Sequence, residues 1–547
     1  MGTRITVLVG LFALIYGTLG FRFYDIQVDE GDRYGAQASV INATGNLLTP
    51  RRGSIYFSDR NGEQVPAAIN KAYPIIYAVP DDVEDAGTVA RALAPYITDK
   101  TYEELEEILS KEGDPYEPLI RRPSEDQSNF FEDTDLQGIN IGKGLSRYYP
   151  LGKIGAHVLG FASTNELVWD GQYGVEDYYN QRLGGVAGES WGDHIKSPLH
   201  GQDIQLTINA DIQVRAEDIL QNLVADYSGS GGTVIVAEPD TGKILAMASV
   251  PNFDPNRYGE SEISNFMNPA VQSVYEPGSI FKVITMAAAL DAGKITPDTT
   301  YYDSGELTLN GHTIKNWDEK ANGTISMTNV IERSVNTGAA FAERQLGHEN
   351  FYEYLERFGF KDPTAIDLPG EVVGSLLPLE EDVRDINYAT ASFGQGISTT
   401  PIRLLMAISS IANGGNLMRP YVNAENQPER LGRTISREAS RQVVDMMVSA
   451  VDKATIARID GYAVAGKTGT AQVPRSGGGG YADDEVINTY IGFAPAYDPE
   501  FIILIRLDKP YGAPLAGLTV VPAFRELAEF VINHYNIPPD RIDIAGS

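Results

Sequence analysis

The pattern of apolar and polar positions along the chain changes character twice. At its start, Ile5 to Phe21 form an uncharged run framed by Arg4 and Arg22, near the short end of a bilayer-spanning helix. The run is longer than most signal-peptide cores, and no clean small-x-small cleavage site follows it. The pattern therefore predicts a tail over residues 1–4 and an uncleaved anchor over 5–22; a cleaved signal and a buried soluble helix are the alternatives. With one arginine on each side, the charge count is nearly silent on orientation. No second span follows, which would leave everything after Arg22 on one side of a membrane.

Residues 23–195 mix short apolar runs, acidic helix-like stretches such as "TYEELEEILSKEG", and loops rich in Gly, Pro and Asp. Such a mixture predicts an irregular α+β module. From residue 196 to 547 the periodicities become regular. "IQLTIN" alternates as a strand, "DIQVRAEDILQNLV" has helical spacing, and "GTVIVAEPDTGKILAMAS" reads as two strands around a hairpin at Asp240–Lys243. Three further strands are predicted in "YAVAGKTGTAQV", "NTYIGFAPA" and "FIILIRLDKP", followed by a helix from about Pro522 to Tyr535. Five strands with a long, mostly helical insertion between the second and third predict an α/β sandwich, a sheet between helices. One low-complexity patch, "RSGGGG" at 475–480, is expected as a flexible loop between two of those strands.

Composition excludes several functions. Asp and Glu outnumber Lys and Arg by 74 to 43, for a net charge of −31, so a nucleic acid partner would be repelled. The absence of cysteine removes disulfides and thiolate metal sites. The histidines, at 157, 194, 200, 312, 348 and 534, show no paired metal-ligand spacing, and no cofactor is expected.

Candidate chemistry begins in "VYEPGSIFKVITMAAAL". Pro277 and Gly278 end a loop and free Ser279 to open a helix, and Lys282 stands three residues on, on the same face. Such a serine is a nucleophile candidate with the lysine as its base, and the unpaired first amides favour a developing anion. Ser-x-x-Lys alone arises by chance about once in a chain this long. Two further signals follow in order: Ser334-Val335-Asn336 after a helix-like segment, and Lys467-Thr468-Gly469-Thr470 in a strand-like run. On this reading Lys282 is neutral and takes the Ser279 proton, Ser334 relays it, and Asn336 orients Lys282 and a substrate peptide. Lys467 adds positive charge, while Thr468 and Thr470 offer hydroxyls to a terminal carboxylate. Gly469 lets a peptide lie along the strand edge, and the amides of Ser279 and Thr470 form an oxyanion hole. Rival motifs lack the right context: Gly188-Glu189-Ser190-Trp191-Gly192 has no strand-turn-helix setting, Glu306–Asn310 reads as a hairpin tip, and Ser163-Thr164-Asn165 is out of order.

With these motifs in place, the chain resembles the monofunctional class B penicillin-binding proteins nearly from end to end. Besides the trio, similar segments are "RFYDIQVDEGDRY", "PRRGSIYFSDRNG", "YYPLGKIGAHVLGFAS" and "GQYGVEDYYNQRLGGVAG" before the catalytic half, and "FGQGISTTPIRL", "AGKTGTAQ" and "IGFAPA" within it. Departures are Phe57-Ser58, which lengthens one segment, and "QVPA" just after it, which puts the local geometry there in question. The resemblance implies a pedestal domain over 23–195 and, over 196–547, a penicillin-binding or serine β-lactamase-like transpeptidase domain with a five-stranded antiparallel sheet. It also implies a cytoplasmic N-terminus, a single-pass plasma-membrane anchor and an extracytoplasmic catalytic domain. The implied reaction is D,D-transpeptidation: Ser279 is acylated by a stem peptide ending in D-Ala-D-Ala, and an amine of a neighbouring strand resolves the acyl-enzyme. β-Lactams would acylate the same serine. Implied partners are a SEDS-type glycan polymerase and other division or elongation membrane proteins, and "SVNTGAAF" leans toward the division branch. The alternatives are a D,D-carboxypeptidase, a β-lactamase or β-lactam sensor, and a non-catalytic scaffold of the wall-synthesis complex.

Overall fold

The computed structural model describes residue 16 and residues 50–541, apart from 99, 113–116, 121–122, 135, 166–167, 192–193, 382–383, 476–479 and 513–514. The anchor expected over 5–22 lies outside the described residues except for Tyr16, and so does the glycine-rich loop except for its ends. Among the described residues no helix is long and apolar enough to cross a membrane.

The first part of the chain forms strands β1 (Ile55–Ser58), β2 (Gln64–Ala78) and β3 (Ile139–Tyr148), with β2 paired to both of the others. The altered segment is absorbed locally. Tyr56 faces Pro66 and Ile55 faces Ala68, so Ala67 bulges from β2, beside a proline that cannot donate to a ladder. The helix predicted in the acidic stretch is present at Tyr102–Leu109, where Thr101 and Glu104 form a reciprocal cap.

Three segments distant in sequence meet at one buried carboxylate. Glu176, with no exposed side-chain surface, accepts from Arg52 Nε at 2.6 Å, Arg147 Nε at 2.7 Å and the Tyr149 hydroxyl at 3.1 Å. Burial alone would raise its pKa, but the two guanidiniums outweigh that and hold the carboxyl below its usual range. Three of the pedestal segments similar to the family thus meet in this ionic core, through Arg52, Tyr149 and Glu176, with Arg147 just ahead of the second.

Strand β4 (Ile204–Asn209) runs parallel to β1, with Ile55 opposite Ile204, so a strand expected in the catalytic half completes the pedestal sheet across residue 195. Two more links cross there: Tyr179 donates to Asp367 at 2.8 Å, and Arg182 grips Glu425 with both terminal nitrogens at 2.6 and 2.7 Å. Helix α1 (Ala210–Asp226) follows β4, capped by the Asn209 side chain. Strands β5 (Gly231–Ala237) and β6 (Ile244–Val250) form the predicted hairpin.

The insertion then supplies α2 (Phe281–Asp291), the hairpin β7 (Glu306–Leu309) and β8 (His312–Lys315), and α3 (Met327–Arg333). After these come α4 (Asn336–Leu346), α5 (Asp385–Ala391), α6 (Pro401–Ala412) and α7 (Arg437–Ala454). Asn310 and Gly311 both have positive φ at the β7–β8 tip, which confirms the hairpin reading of Glu306–Asn310. Glu189–Trp191 is likewise a short strand paired to His194–Lys196, with no helix after it.

Strands β9 (Ala465–Pro474), β10 (Tyr481–Ala494) and β11 (Phe501–Asp508) close an antiparallel sheet of order β6-β5-β11-β10-β9, and α8 (Val520–Tyr535) ends the fold. Its strands read as continuous apolar runs because both faces are covered. Val234, Val236, Ile503 and Ile505 pack with Ile212 of α1 and Phe524 of α8, whereas Ile235, Ile502 and Leu504 face the cluster containing α2 and α6. Helix α2 is buried all round from Phe281 to Leu290, the position of a central helix.

Candidate active site

Ser279 stands at the mouth of that central helix. Gly278 has φ of +57°, and a Cβ there would lie 3.0 Å from the Thr470 carbonyl oxygen, so only glycine fits this turn against β9. A single 3-10 turn, Gly278–Ile280, carries the serine, and the α-helix proper begins at Phe281. The predicted spacing holds: Lys282 Nζ is 2.9 Å from Ser279 Oγ.

Because α2 is buried on every side, Lys282 is buried with it, at 0% exposure. Its amine donates to the Ser334 carbonyl at 2.6 Å and lies 3.1 Å from Ser334 Oγ, with no carboxylate among these partners. Burial, and secondarily the charge of Lys467, push its pKa well below the ordinary lysine value. A neutral amine at that position has a lone pair to accept the Ser279 proton.

Ser334 is placed by the end of α3. It takes a left-handed conformation (φ 58°, ψ 47°), while the Val335 amide donates to Val330 and the Ser334 amide to Ile331. This is the C-terminal cap normally built on glycine, and buried Val330 and Val335 supply its apolar contact. Holding a serine there costs about 1–2 kcal/mol, and in return both its oxygens face Lys282.

Lys467 comes from β9, the edge strand of the sheet, with Nζ 2.9 Å from Ser334 Oγ and 3.1 Å from the Thr468 carbonyl. Burial pushes its pKa down to about 7. Thr468 Oγ1 is 3.5 Å from the same ammonium, and exposed Thr470 accepts from the Ala516 amide at 3.4 Å and donates to Asn488 at 3.3 Å. The free edge of β9 is available to an extended peptide.

One sequence expectation changes, and one gains a second reason. Asn336 does not hold Lys282: its amide donates to the Lys315 carbonyl at 2.8 Å, tying α4 to the β7–β8 hairpin, and the Ser334 carbonyl orients the lysine instead. At Gly469 a Cβ would lie 3.0 Å from the Pro277 carbonyl and 3.1 Å from Ile280, so the close approach of the nucleophile turn is a further demand on this glycine.

Two supporting groups escaped sequence reasoning. Glu276 accepts from the Gly396 amide at 3.2 Å and from the Tyr481 hydroxyl at 3.2 and 3.1 Å, fastening the nucleophile turn to the start of β10. Its sequence signal was a carboxylate in a mostly apolar run directly before Pro-Gly. Asp303, fully buried, accepts from Asn316, Asn322, Gly305 and Thr337, and so fixes the start of α4; no local pattern announces it. Among the described residues no group of His, Cys, Asp and Glu could hold a metal ion.

Comparison with known proteins places this arrangement. Residues 232–529 match the penicillin-binding protein transpeptidase domain, and residues 47–193 match the penicillin-binding protein dimerisation domain. The chain is similar to stage V sporulation protein D of Bacillus subtilis, at 33% identity over 93% of this chain and 83% of that one. It is also similar to the peptidoglycan D,D-transpeptidase FtsI of Escherichia coli, at 27% identity over 95% and 88% of the two chains. Among solved structures, a peptidoglycan synthetase from Bifidobacterium adolescentis matches with a TM-score of 0.69 and 26% identity, covering 90% of this chain and 97% of that one. The chain therefore belongs to the penicillin-binding proteins, as a class B transpeptidase.

Proposed function

We propose that the protein cross-links peptidoglycan as a D,D-transpeptidase through an acyl-enzyme on Ser279. The observation that carries the catalytic assignment is the 2.9 Å approach of a fully buried lysine amine to the Ser279 hydroxyl. Lys282 removes the hydroxyl proton as Ser279 Oγ attacks the penultimate D-Ala carbonyl of a stem peptide lying along β9. The tetrahedral oxyanion is received by the amides of Ser279 and Thr470. Ser334, bridged to both lysines, passes the proton to the departing D-Ala nitrogen, and Lys467 with Thr468 and Thr470 receives the terminal carboxylate. An amine of a second stem peptide then takes the acyl group. Asn336 supports this site through the hairpin that it holds, and β-lactams acylate the same serine.

The apolar run from Ile5 to Phe21 supports a single-pass plasma-membrane anchor, with the N-terminus cytoplasmic and the catalytic domain facing the wall. A SEDS-type glycan polymerase and other division or elongation membrane proteins are the partners this placement suggests. The test is labelling of the purified protein by a fluorescent penicillin. The wild type should label and Ser279→Ala should not; equal labelling of both removes Ser279 from the mechanism, and labelling of neither revives the scaffold reading.

A further inference from the structure

A transpeptidase joins two peptides, and the reading above assigns the edge of β9 to one of them. A second cavity, of about 430 Å³, opens between the β7–β8 hairpin and α5. Its floor is apolar, with Ile314, Ile386 and Phe393 buried in one cluster, and its rim carries the exposed cations Lys315 and Arg384 together with Gln395. The walls are fixed to each other, since Asn310 at the hairpin tip accepts from the Ile386 amide at 3.0 Å.

Backbone neighbours of this cavity's lining join the catalytic site at two points, the start of α4 and the nucleophile turn. The carbonyl of Lys315 accepts from Asn336 at 2.8 Å. Gln395 lies between Gly394, whose carbonyl accepts from the Gly278 amide at 3.2 Å, and Gly396, which donates to Glu276 at 3.2 Å. Two cations on one rim are notable in a chain of net charge −31, whose general field repels anionic peptides. Glu319 lies 3.4 Å from Lys315, but both side chains are more than half exposed, and such pairs exchange readily for a better carboxylate.

We infer that this cavity is the acceptor site, which binds the amine-bearing peptide with a carboxylate against Lys315 and Arg384 and its aliphatic portion on the apolar floor. The inference rests on the transpeptidase reading above. In the step it serves, the acceptor nitrogen forms the new C–N bond as the Ser279 ester C–O bond breaks. The amine proton returns through Lys282 to Ser279 Oγ.

The test separates acceptor binding from acylation. A small N-acyl-D-alanyl thioester serves as donor, and its partition between hydrolysis and aminolysis is followed with D-alanine or D-alaninamide as acceptor. Wild type should saturate with D-alanine at concentrations about tenfold lower than with D-alaninamide, the worth of one charge-assisted contact. Lys315→Ala with Arg384→Ala should raise the half-saturating D-alanine about tenfold and erase the difference between acceptors. Arg384→Lys should restore most of the preference. Penicillin acylation monitors folding of each variant, and Lys315→Ala alone, at an exposed position, carries the test if the double variant does not fold. Unchanged half-saturation, an equal loss for both acceptors, or a wild type that acylates yet shows no aminolysis would overturn the acceptor site and leave the acyl-enzyme intact. A wild type that penicillin cannot acylate would overturn the transpeptidase reading itself.

Discussion

Lys282 and Lys467 share one oxygen: Ser334 Oγ is 3.1 Å from the first ammonium nitrogen and 2.9 Å from the second. The two amines are therefore no more than about 6 Å apart, in a buried site whose described hydrogen bonds to them include no carboxylate. Two charged lysines are disfavoured there, and the pair is arranged to hold one proton between them, with Ser334 as the bridge. This relationship converts a fold-level arrangement into a poised base.

The pH dependence of acylation should report that coupling. Lys282 must be neutral to act, so acylation is lost as pH falls through its titration. Removing the neighbouring charge in Lys467→Ala lets the Lys282 pKa rise, because burial then acts alone. The acid limb of the penicillin acylation rate should accordingly move to higher pH in Lys467→Ala and stay near its wild-type position in Lys467→Arg. The position of the limb is the readout, since loss of a substrate contact lowers the plateau without moving it.

Lys282→Met should separate catalysis from stability. Loss of the base should reduce the acylation rate by about 100-fold or more. Stability should not fall with it. The folded pKa of Lys282 is depressed, so at neutral pH the unfolded chain holds a proton that the folded chain must expel, a penalty present until pH exceeds the unfolded value near 10.4. A thermal melt at pH 7 showing Lys282→Met several degrees below wild type would contradict this account of the buried amine.

Glu176→Gln tests the ionic core of the pedestal. The substitution keeps the shape but leaves two guanidiniums buried without a counter-charge, and about 3–5 kcal/mol of stability should be lost in chemical denaturation. Because the carboxyl pKa is lowered in the fold, its contribution is complete above the unfolded carboxylate value and fades as pH falls through the folded one. The difference between wild type and variant should therefore shrink toward acid pH; a gap that is constant with pH would mean that Glu176 acts by shape alone.

How far the sequence reveals these features depends on the range of the contacts involved. Ser279 and Lys282 were legible because one helical turn fixes their spacing, and the five sheet strands because both their faces are apolar. The partner of Asn336 was not, since Lys315 arrives from a hairpin 21 residues upstream, and no local periodicity encodes that pairing. The same holds for Glu176, whose partner Arg52 is 124 residues away, and for β4, whose alternation predicts a strand but not the sheet it joins. The approach of the nucleophile turn to Gly469 was not legible either. A sequence shows that a side chain is absent without showing which neighbour requires the space.

Pedestal and catalytic domain also meet at a buried carboxyl. Glu217 on α1 accepts from the Gly155 amide at 2.6 Å, Gln213 at 2.9 Å and Asn252 at 3.2 Å, with only 3% of its surface exposed. Burial raises its pKa to about 7, and the hydrogen bonds only partly oppose that. An acid whose folded pKa is raised releases its proton in the unfolded chain first. Stability is therefore highest below about pH 4.5 as far as this group is concerned, and it declines as pH rises toward 7. The full decline from this one carboxyl is about 3 kcal/mol. Denaturation midpoints taken from pH 5 to 8 should fall over the lower part of that range for wild type, and Glu217→Gln should flatten the slope. Parallel slopes for the two proteins would show that Glu217 is charged in the folded state and that the three donors around it suffice to hold that charge.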